Sequence, residues 1–467
     1  MITFQERLVL YALLTSLTSL SIDALLPGLR EIGVQFGTSP YLSTQHVISL
    51  FILGMAFGEL LLGPLSDAIG RKRALLLGLG VYVSGTLVAM LANSLEMIIL
   101  GRFLQGIGVS GPKIATRAMI RDQFEGDAMA RVMSFMFTLF ILVPMLAPAL
   151  AQGLIAIAGW RSVFAAYLVI AICLGCWLAV RQQETLRVEQ RIPFRPRLLI
   201  VNGFRILSSR RVGLLILATG LVFGAQLLYL STAADLFLDA YGVRETFPVY
   251  FAMLAAAMGI ASFLNARLVQ RFGMEAMARA AFIGLSAIGF LAAATSIACG
   301  GQLPFAIFLA FLFPLFFAIG ILFGNLNAMA MQPLGHVAGF GASLIASGSS
   351  LVATLFAVGF GGFYDGTVVY LFFGFLAAGF CGFAFLHIAN RGDAPAIHGA
   401  SSSGRCLFFR LWRVAARRWS QPLTISLSDT SCGPLISPIV LPYSHQMIDI
   451  AQCGASIHMT GSPLEGA

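Results

Sequence analysis

The feature that most constrains this chain is a series of apolar runs, most of 18 residues or longer, that recurs from near the start to about residue 390. A run of this length can cross the hydrocarbon core of a bilayer as a helix. Inside hydrocarbon the backbone must satisfy its own hydrogen bonds, which leaves helices or a closed barrel as spanning structures. The runs are near-continuous rather than alternating, which excludes a barrel. The sequence therefore predicts an all-α membrane protein.

The composition supports this fold class. Charged residues make up 10% of the 467 residues and hydrophobic residues 58%, whereas a soluble domain carries roughly 25% charged residues. So few charges cannot cover a water-exposed surface, and lipid takes the place of water as the solvent. The net charge is +9, but most basic residues fall in loops on one side of the predicted membrane, so a lipid bilayer rather than nucleic acid is the expected partner. The first apolar run reads as a membrane span and not as a cleaved signal.

Twelve spans are predicted, at about 8–27, 43–64, 74–92, 96–118, 129–156, 160–180, 212–236, 247–268, 277–299, 304–329, 339–362 and 367–389. The predicted organisation is a six-helix bundle over 1–180, a basic cytoplasmic connector over 181–211, a second six-helix bundle over 212–390, and a cytoplasmic tail over 391–467 that is expected to be largely disordered. The connector carries eight arginines.

The distribution of basic residues sets the orientation. The segments on the side of the N-terminus hold eighteen lysines and arginines before the tail, whereas the opposite loops hold only Arg30, Arg161 and Arg244. By the positive-inside rule both termini are expected in the cytoplasm. The stretches 65–71 and 268–274 share leucine and glycine at matching places. This echo, with the division into six and six spans, predicts two pseudo-symmetric bundles with a site between them.

Charged residues inside spans are costly and are functional candidates by default. Asp23 in span one and Arg102 in span four lie at matching depths from one side of the membrane. Glu59 in span two and Lys113 in span four lie at matching depths from the other. Arg102 and Lys113 are 11 residues apart, which places them within roughly 20° on one helix face. We therefore predict two acid–cation pairs, while Gln152 is a candidate for lining a polar cavity.

Such pairs suggest a way to couple protons to transport. A carboxylate paired with a cation stays ionised, whereas an acid left alone in an apolar site is driven to hold its proton. A conformational change that breaks and remakes a pair would take up a proton on one side of the membrane and release it on the other. The alternative interpretation is that the pairs are static and fix helix packing.

Three stretches carry a family resemblance. Residues 63–73, GPLSDAIGRKR, resemble the loop signature of the major facilitator superfamily, with Ala68 where arginine is usual. Residues 102–108, RFLQGIG, resemble the family's span-four motif, and residues 144–152, PMLAPALAQ, resemble its span-five antiporter motif, with alanine at two usual glycine positions. The stretch 22–27, IDALLP, together with Arg121 and Asp122 looks like the Bcr/CflA branch of bicyclomycin-resistance-type drug exporters.

The resemblance implies roles for named residues. Asp67 would form a conformation-dependent latch with Arg121 and Asp122 as its partners, and Arg102, in the span-four motif, would take part in proton coupling. The latch residues are Gly63, Asp67, Gly70, Arg71, Arg121 and Asp122. The antiporter-motif residues are Pro144, Ala147 and Pro148.

The sequence thus predicts a monomer in the cytoplasmic inner membrane that exports small drug-like molecules by exchange for protons, with the two halves rocking about a central cavity. The proton gradient would supply the energy, and no cofactor or metal is expected. A facilitator or proton symporter for a small metabolite is the alternative. A membrane-embedded enzyme is disfavoured because no catalytic motif occurs in the sequence.

Overall fold

The computed structural model describes residues 3–37, 43–124, 126–364 and 366–391, and this described part is helical with no strand. The predicted tail over 391–467 lies almost entirely outside the described residues. The helices are α1 (Phe4–Asp23), α2 (Leu29–Phe36), α3 (Gln45–Ile69), α4 (Arg71–Met90), α5 (Leu95–Gln123), α6 (Gly126–Ala158), α7 (Arg161–Arg181), α8 (Pro196–Leu207), α9 (Arg210–Ala234), α10 (Phe247–Phe272), α11 (Met274–Ala298), α12 (Phe305–Met331), α13 (Ala338–Gly361) and α14 (Val369–Arg391).

Within the described residues, ten helical segments are long and apolar enough to cross a membrane, judged by length and composition. The remaining two long helices are α5, with 29 residues, and α6, with 33 residues. Helix α5 contains Arg102, Lys113 and Arg117, which lower its mean hydropathy. These twelve helices correspond to the twelve predicted spans. The short helices α2 and α8 were not predicted; α8 lies inside the basic connector.

The same packing pattern occurs in both halves of the chain. Helix α5 packs against α3 and α4 in the first half, and α12 packs against α10 and α11 in the second. Likewise α1 contacts α6 and α4 contacts α7, while α9 contacts α13 and α11 contacts α14. This recurrence is the structural counterpart of the sequence echo.

The turns that end α3 and α10 explain why the echo keeps a glycine. Gly70 has φ +106° and Gly273 has φ +82°. Side chains other than that of glycine rarely adopt these angles. Each glycine ends one membrane helix and allows the next to begin within one residue, so the conserved element of the internal repeat is a tight turn between two spans.

Among the described residues, the most extensive contacts between the halves join α3 to α13 and α6 to α10, and α3 also contacts α9. We call the end of the helices where α3 meets α4 the Asp67 end. We call the opposite end, where α1 and α9 terminate, the Asp239 end.

All described residues belong to one compact unit, Met1–Ala394.

Candidate functional site

Arg102 is fully buried in the first half and is satisfied by neutral acceptors. Its guanidinium donates to the carbonyls of Val47 (3.3 Å) and Ser21 (2.9 Å) and to the Gln105 side chain (2.8 Å). It also lies over the Phe51 ring, 4.1 Å from the centroid. Buried charges need such partners because losing water is costly. Arg102 therefore ties α5 to α1 and α3.

The predicted ion pair between Asp23 and Arg102 is not formed in this structure. Asp23 is buried at the last residue of α1, but Arg102 reaches the backbone two residues earlier, at Ser21. The last carbonyls of a helix lack intrahelical donors, so the Ser21 carbonyl is free to accept from the guanidinium. Within the described part of the chain, the Asp23 carboxyl has no ion pair or recorded hydrogen bond.

The structure brings the second predicted pair together. The Lys113 Nζ and Glu59 Oε1 atoms are 2.5 Å apart, and the Glu59 side chain has no exposed surface. The other carboxylate oxygen of Glu59 accepts a hydrogen bond from the Ser350 hydroxyl at 3.2 Å. Ser350 belongs to α13, so the ion pair of the first half is bonded directly to the second half. The depth of each residue within its predicted span could not identify Ser350 as a hydrogen-bond partner of Glu59.

The corresponding helix pair of the second half carries a neutral pair. Asn265 of α10 and Asn325 of α12 exchange two side-chain hydrogen bonds, of 3.2 and 2.8 Å. Both residues are buried. The amides satisfy each other without any charge.

The latch residues form a cluster at the Asp67 end. Arg71 is buried and pairs with Asp67 and, at 3.2 Å, with Asp122. Arg121 reaches the second half instead: a Cβ added to Gly339 would lie 3.6 Å from Arg121 Nη2 and 3.8 Å from Asp67 Oδ2. Asp67 and Arg121 therefore both face the first turn of α13.

Glu184 in the connector also belongs to this cluster and was missed from the sequence. Its carboxylate accepts hydrogen bonds from the backbone N–H groups of Arg71 (2.8 Å) and Lys72 (3.2 Å). It thereby caps the start of α4, where a negative charge is favourable. A Cβ on Gly70 would overlap this carboxylate. The only sequence signal for this role of Glu184 is that it is an acidic residue in a connector that carries eight arginines.

A second latch position, Gly63, permits close contact between the halves. A side chain at Gly63 would overlap that of Ser343 on α13. The absence of a side chain therefore lets α3 and α13 approach near the Asp67 end.

The antiporter-motif helix α6 lies against α1 in its own half and α10 in the other. Ala147 is buried, as is Pro148, whereas Pro144 is half-buried. Gln152 does not reach a charged side chain; it donates to the backbone carbonyl of Arg244 at 3.0 Å. The structure thus places Gln152 at a contact between the halves.

A further contact between the halves lies at the Asp239 end. The Arg30 and Asp239 side chains form an ion pair of 2.5 Å, and both are more than a third exposed. Arg30 follows the first span and Asp239 the seventh, which are equivalent positions in the two halves. That equivalence is the signal that the sequence offers for this contact.

In this conformation the halves touch at both ends and in the middle. Buried charges lie at or beside these contacts, and among the described residues no group of His, Cys, Asp or Glu could hold a metal. A helical membrane protein whose two halves enclose buried charges in this way belongs to the class of membrane transporters.

The comparisons with known proteins agree. A profile of the Major Facilitator Superfamily matches residues 11–357. This chain belongs to the major facilitator superfamily. It is a multi-pass membrane transporter of small molecules and not an enzyme.

Several relatives are named for drug resistance or multidrug transport. A bicyclomycin resistance protein homolog of Haemophilus influenzae is 30% identical over 339 residues, which is 72% of this chain and 83% of that protein. The chloramphenicol resistance protein CraA of Acinetobacter baumannii is 27% identical, over 56% of this chain and 62% of its own length. The multidrug transporter MdfA of Yersinia pestis is 30% identical over 40% of this chain and 46% of its own.

Solved transporters share the fold. The xylose transporter XylE of E. coli, in a partially occluded inward-open conformation, aligns with a TM-score of 0.59 at 13% identity, covering 84% of this chain and 98% of that chain. This likeness confirms the predicted arrangement of two pseudo-symmetric six-helix bundles.

Proposed function

We propose that the chain exports drug-like small molecules across the cytoplasmic membrane in exchange for protons. Relatives named for bicyclomycin resistance, chloramphenicol resistance and multidrug transport support the substrate class. The single observation that supports proton exchange is Asp23, a buried carboxyl for which the described residues provide no ion-pair partner.

Asp23 can serve as the proton-carrying group because of where it lies. An ionised carboxylate inside a membrane protein is costly unless water or a cation stabilises it. Arg102 is engaged with the Ser21 carbonyl on the same turn of α1. Loss of the proton from Asp23 is therefore linked to the arrival of water, and alternating access admits water from one side at a time.

The contacts between the halves define what must move. Opening at the Asp67 end would separate α3 from α13, which breaks the Glu59–Ser350 hydrogen bond and removes Asp67 and Arg121 from the start of α13. Opening at the Asp239 end would break the Arg30–Asp239 ion pair. When the Asp67 end opens, water would reach Glu59 together with its partner Lys113. This ion pair is therefore the second proposed element of proton coupling.

The proposed setting includes an orientation, which rests on the distribution of basic residues, as well as a location, an oligomeric state and an energy source. The connector and both termini lie in the cytoplasm, the chain sits in the inner membrane as a monomer, and the proton gradient is the energy source without a cofactor.

Drug-triggered proton movement in inverted vesicles tests this function, with a panel of apolar antibiotics and the variants Asp23→Asn and Glu275→Gln. Glu275 is a matched control, because it is an exposed acid paired with Arg279. We expect proton release on drug addition that is lost in Asp23→Asn and retained in Glu275→Gln. Release that persists in Asp23→Asn would refute the role of Asp23. No release with any drug from folded protein would favour a metabolite facilitator or symporter.

A further inference from the structure

The connector helix α8 has one face packed on the transporter and one face exposed. Gly203 and Ile206 are buried. A Cβ on Gly203 would lie 3.6 Å from the Phe340 ring and 3.9 Å from Leu344, both on α13. This contact fixes the orientation of α8 about its own axis.

The opposite face combines cations with apolar side chains. At about 100° per residue, Arg197, Val201, Phe204 and Arg205 share the side of α8 that faces away from Gly203. Phe204 is 73% exposed and Val201 50% exposed. An exposed phenylalanine between arginines is unfavourable in water but suits the boundary between lipid headgroups and acyl chains.

The position of α8 in the fold places this face at such a boundary. Helix α9, a membrane span, begins at Arg210, three residues after α8 ends at Leu207. The α8 helix therefore lies where α9 enters the membrane, on the side of the Asp67 end.

The charge of the connector adds a second, independent indication. Six of its eight arginines are exposed, and five of these six form no ion pair with a described acid, the exception being Arg181, which pairs with Glu6. The five are Arg187, Arg195, Arg197, Arg205 and Arg210. Clustered arginines beside a span attract the anionic phospholipids of the adjacent leaflet.

We propose that the exposed face of α8 and its flanking arginines form a binding surface for anionic phospholipid. Arginines contact the headgroup phosphates while Val201 and Phe204 enter the acyl region. The buried face of α8 packs on α13 at the same time. Lipid binding to α8 would therefore stabilise the position of the first turns of α13, which Asp67 and Arg121 face. A soluble acidic partner would not explain the exposed apolar side chains. The proposal rests on membrane insertion and does not depend on drug export.

Site-specific lipid quenching tests this surface. The full chain, with its native cysteines replaced by serine, is labelled with a fluorophore at Val201→Cys and reconstituted in phosphatidylcholine. Doxyl-labelled phosphatidylglycerol or doxyl-labelled phosphatidylcholine is then added at equal mole fractions. A label at Val180→Cys is the positional control, because Val180 is 81% exposed near the end of α7.

We expect phosphatidylglycerol to quench the α8 label preferentially, and the Val180 label to show little preference. Each arginine near the surface is worth about a fivefold change in lipid affinity, so Arg197→Gln/Arg205→Gln should abolish most of the preference while Arg279→Gln leaves it. Equal quenching by both lipids would overturn the selectivity. No quenching by either lipid would show that the face lies in water and is open to a soluble acidic partner, which would overturn the proposal.

Discussion

Equivalent helix pairs in the two halves hold different chemistry. In the first half α3 and α5 are joined by the Glu59–Lys113 ion pair, whereas in the second half α10 and α12 are joined by two hydrogen bonds between Asn265 and Asn325. Glu59, Asn265 and Asn325 are buried, and Lys113 is partly buried. The second half shows that such a helix crossing can pack without charge.

The difference extends to the contacts between the halves. The ion pair bonds to Ser350 of the opposite half, whereas the recorded bonds of the amide pair lie within its own half. A buried ion pair is weak evidence for stability, because its desolvation cost can exceed its attraction. On the proposed function, the first half's pair takes part in the movement between conformations, whereas the second half's pair serves as fixed packing.

The largest expected effect comes from breaking the ion pair on one side. Lys113→Met leaves the fully buried Glu59 without its cation, which should destabilise the fold by about 3–5 kcal/mol. Thermal unfolding in detergent measures the loss. The double variant Glu59→Gln/Lys113→Met should recover much of this stability, since it converts the pair into a neutral one. A double variant no more stable than Lys113→Met would contradict this.

A smaller effect is expected from Ser350→Ala. It removes a hydrogen bond to a charged group, worth about 1.5–3 kcal/mol, that exists only when α3 and α13 are together. The equilibrium should shift toward opening at the Asp67 end. Labelling of Ser347→Cys by a water-soluble maleimide measures the shift.

Ser349→Ala is the matched control for that experiment, because Ser349 donates to the Ile216 carbonyl within the second half. It should leave the labelling rate near that of the parent. Equal acceleration by both alanine variants would indicate general loosening of α13 rather than loss of one bond.

The amide pair should respond more weakly. Side-chain hydrogen bonds between membrane helices average about 0.6 kcal/mol, so Asn265→Ala should cost about 1 kcal/mol. Proton release on drug addition should persist. Loss of proton coupling in folded Asn265→Ala protein would contradict the interpretation that the amide pair serves packing while only the ion pair of the first half takes part in coupling.

The smallest effect is expected at the Asp239 end. Arg30→Gln breaks an ion pair whose members are both more than a third exposed, and exposed pairs contribute about 0–1 kcal/mol. Labelling of Ser347→Cys should barely change, and high salt should remove whatever difference remains. A shift as large as that of Ser350→Ala would mean that the Asp239 end controls the equilibrium.

Much of the fold could be predicted from sequence, because hydrocarbon imposes long apolar helices whose depths can be counted. That counting also placed Glu59 beside Lys113. It could not show that Arg102 donates to the Ser21 carbonyl rather than pairing with Asp23, because a backbone carbonyl at a helix end carries no sequence signal. Ser350 was missed for a related reason: its contact depends on how two helices from different halves pack.

The latch shows the same limit. The loop motif indicated Asp67 and its neighbours, but the part played by Glu184 depends on the path of the connector. Helix α8 was hidden because its arginines made the connector appear simply polar. Local pattern predicted the spans, and long-range packing determined the contacts between them.

The distance across the Asp67 end tests the central claim that the halves separate there. Spin labels at Arg73→Cys in α4 and Glu275→Cys in α11, both exposed positions, report this distance by pulsed electron paramagnetic resonance in lipid vesicles. The account predicts two populations, with the longer distance enriched by Ser350→Ala. A single distribution that stays unchanged with Ser350→Ala, with drug and with pH would contradict it.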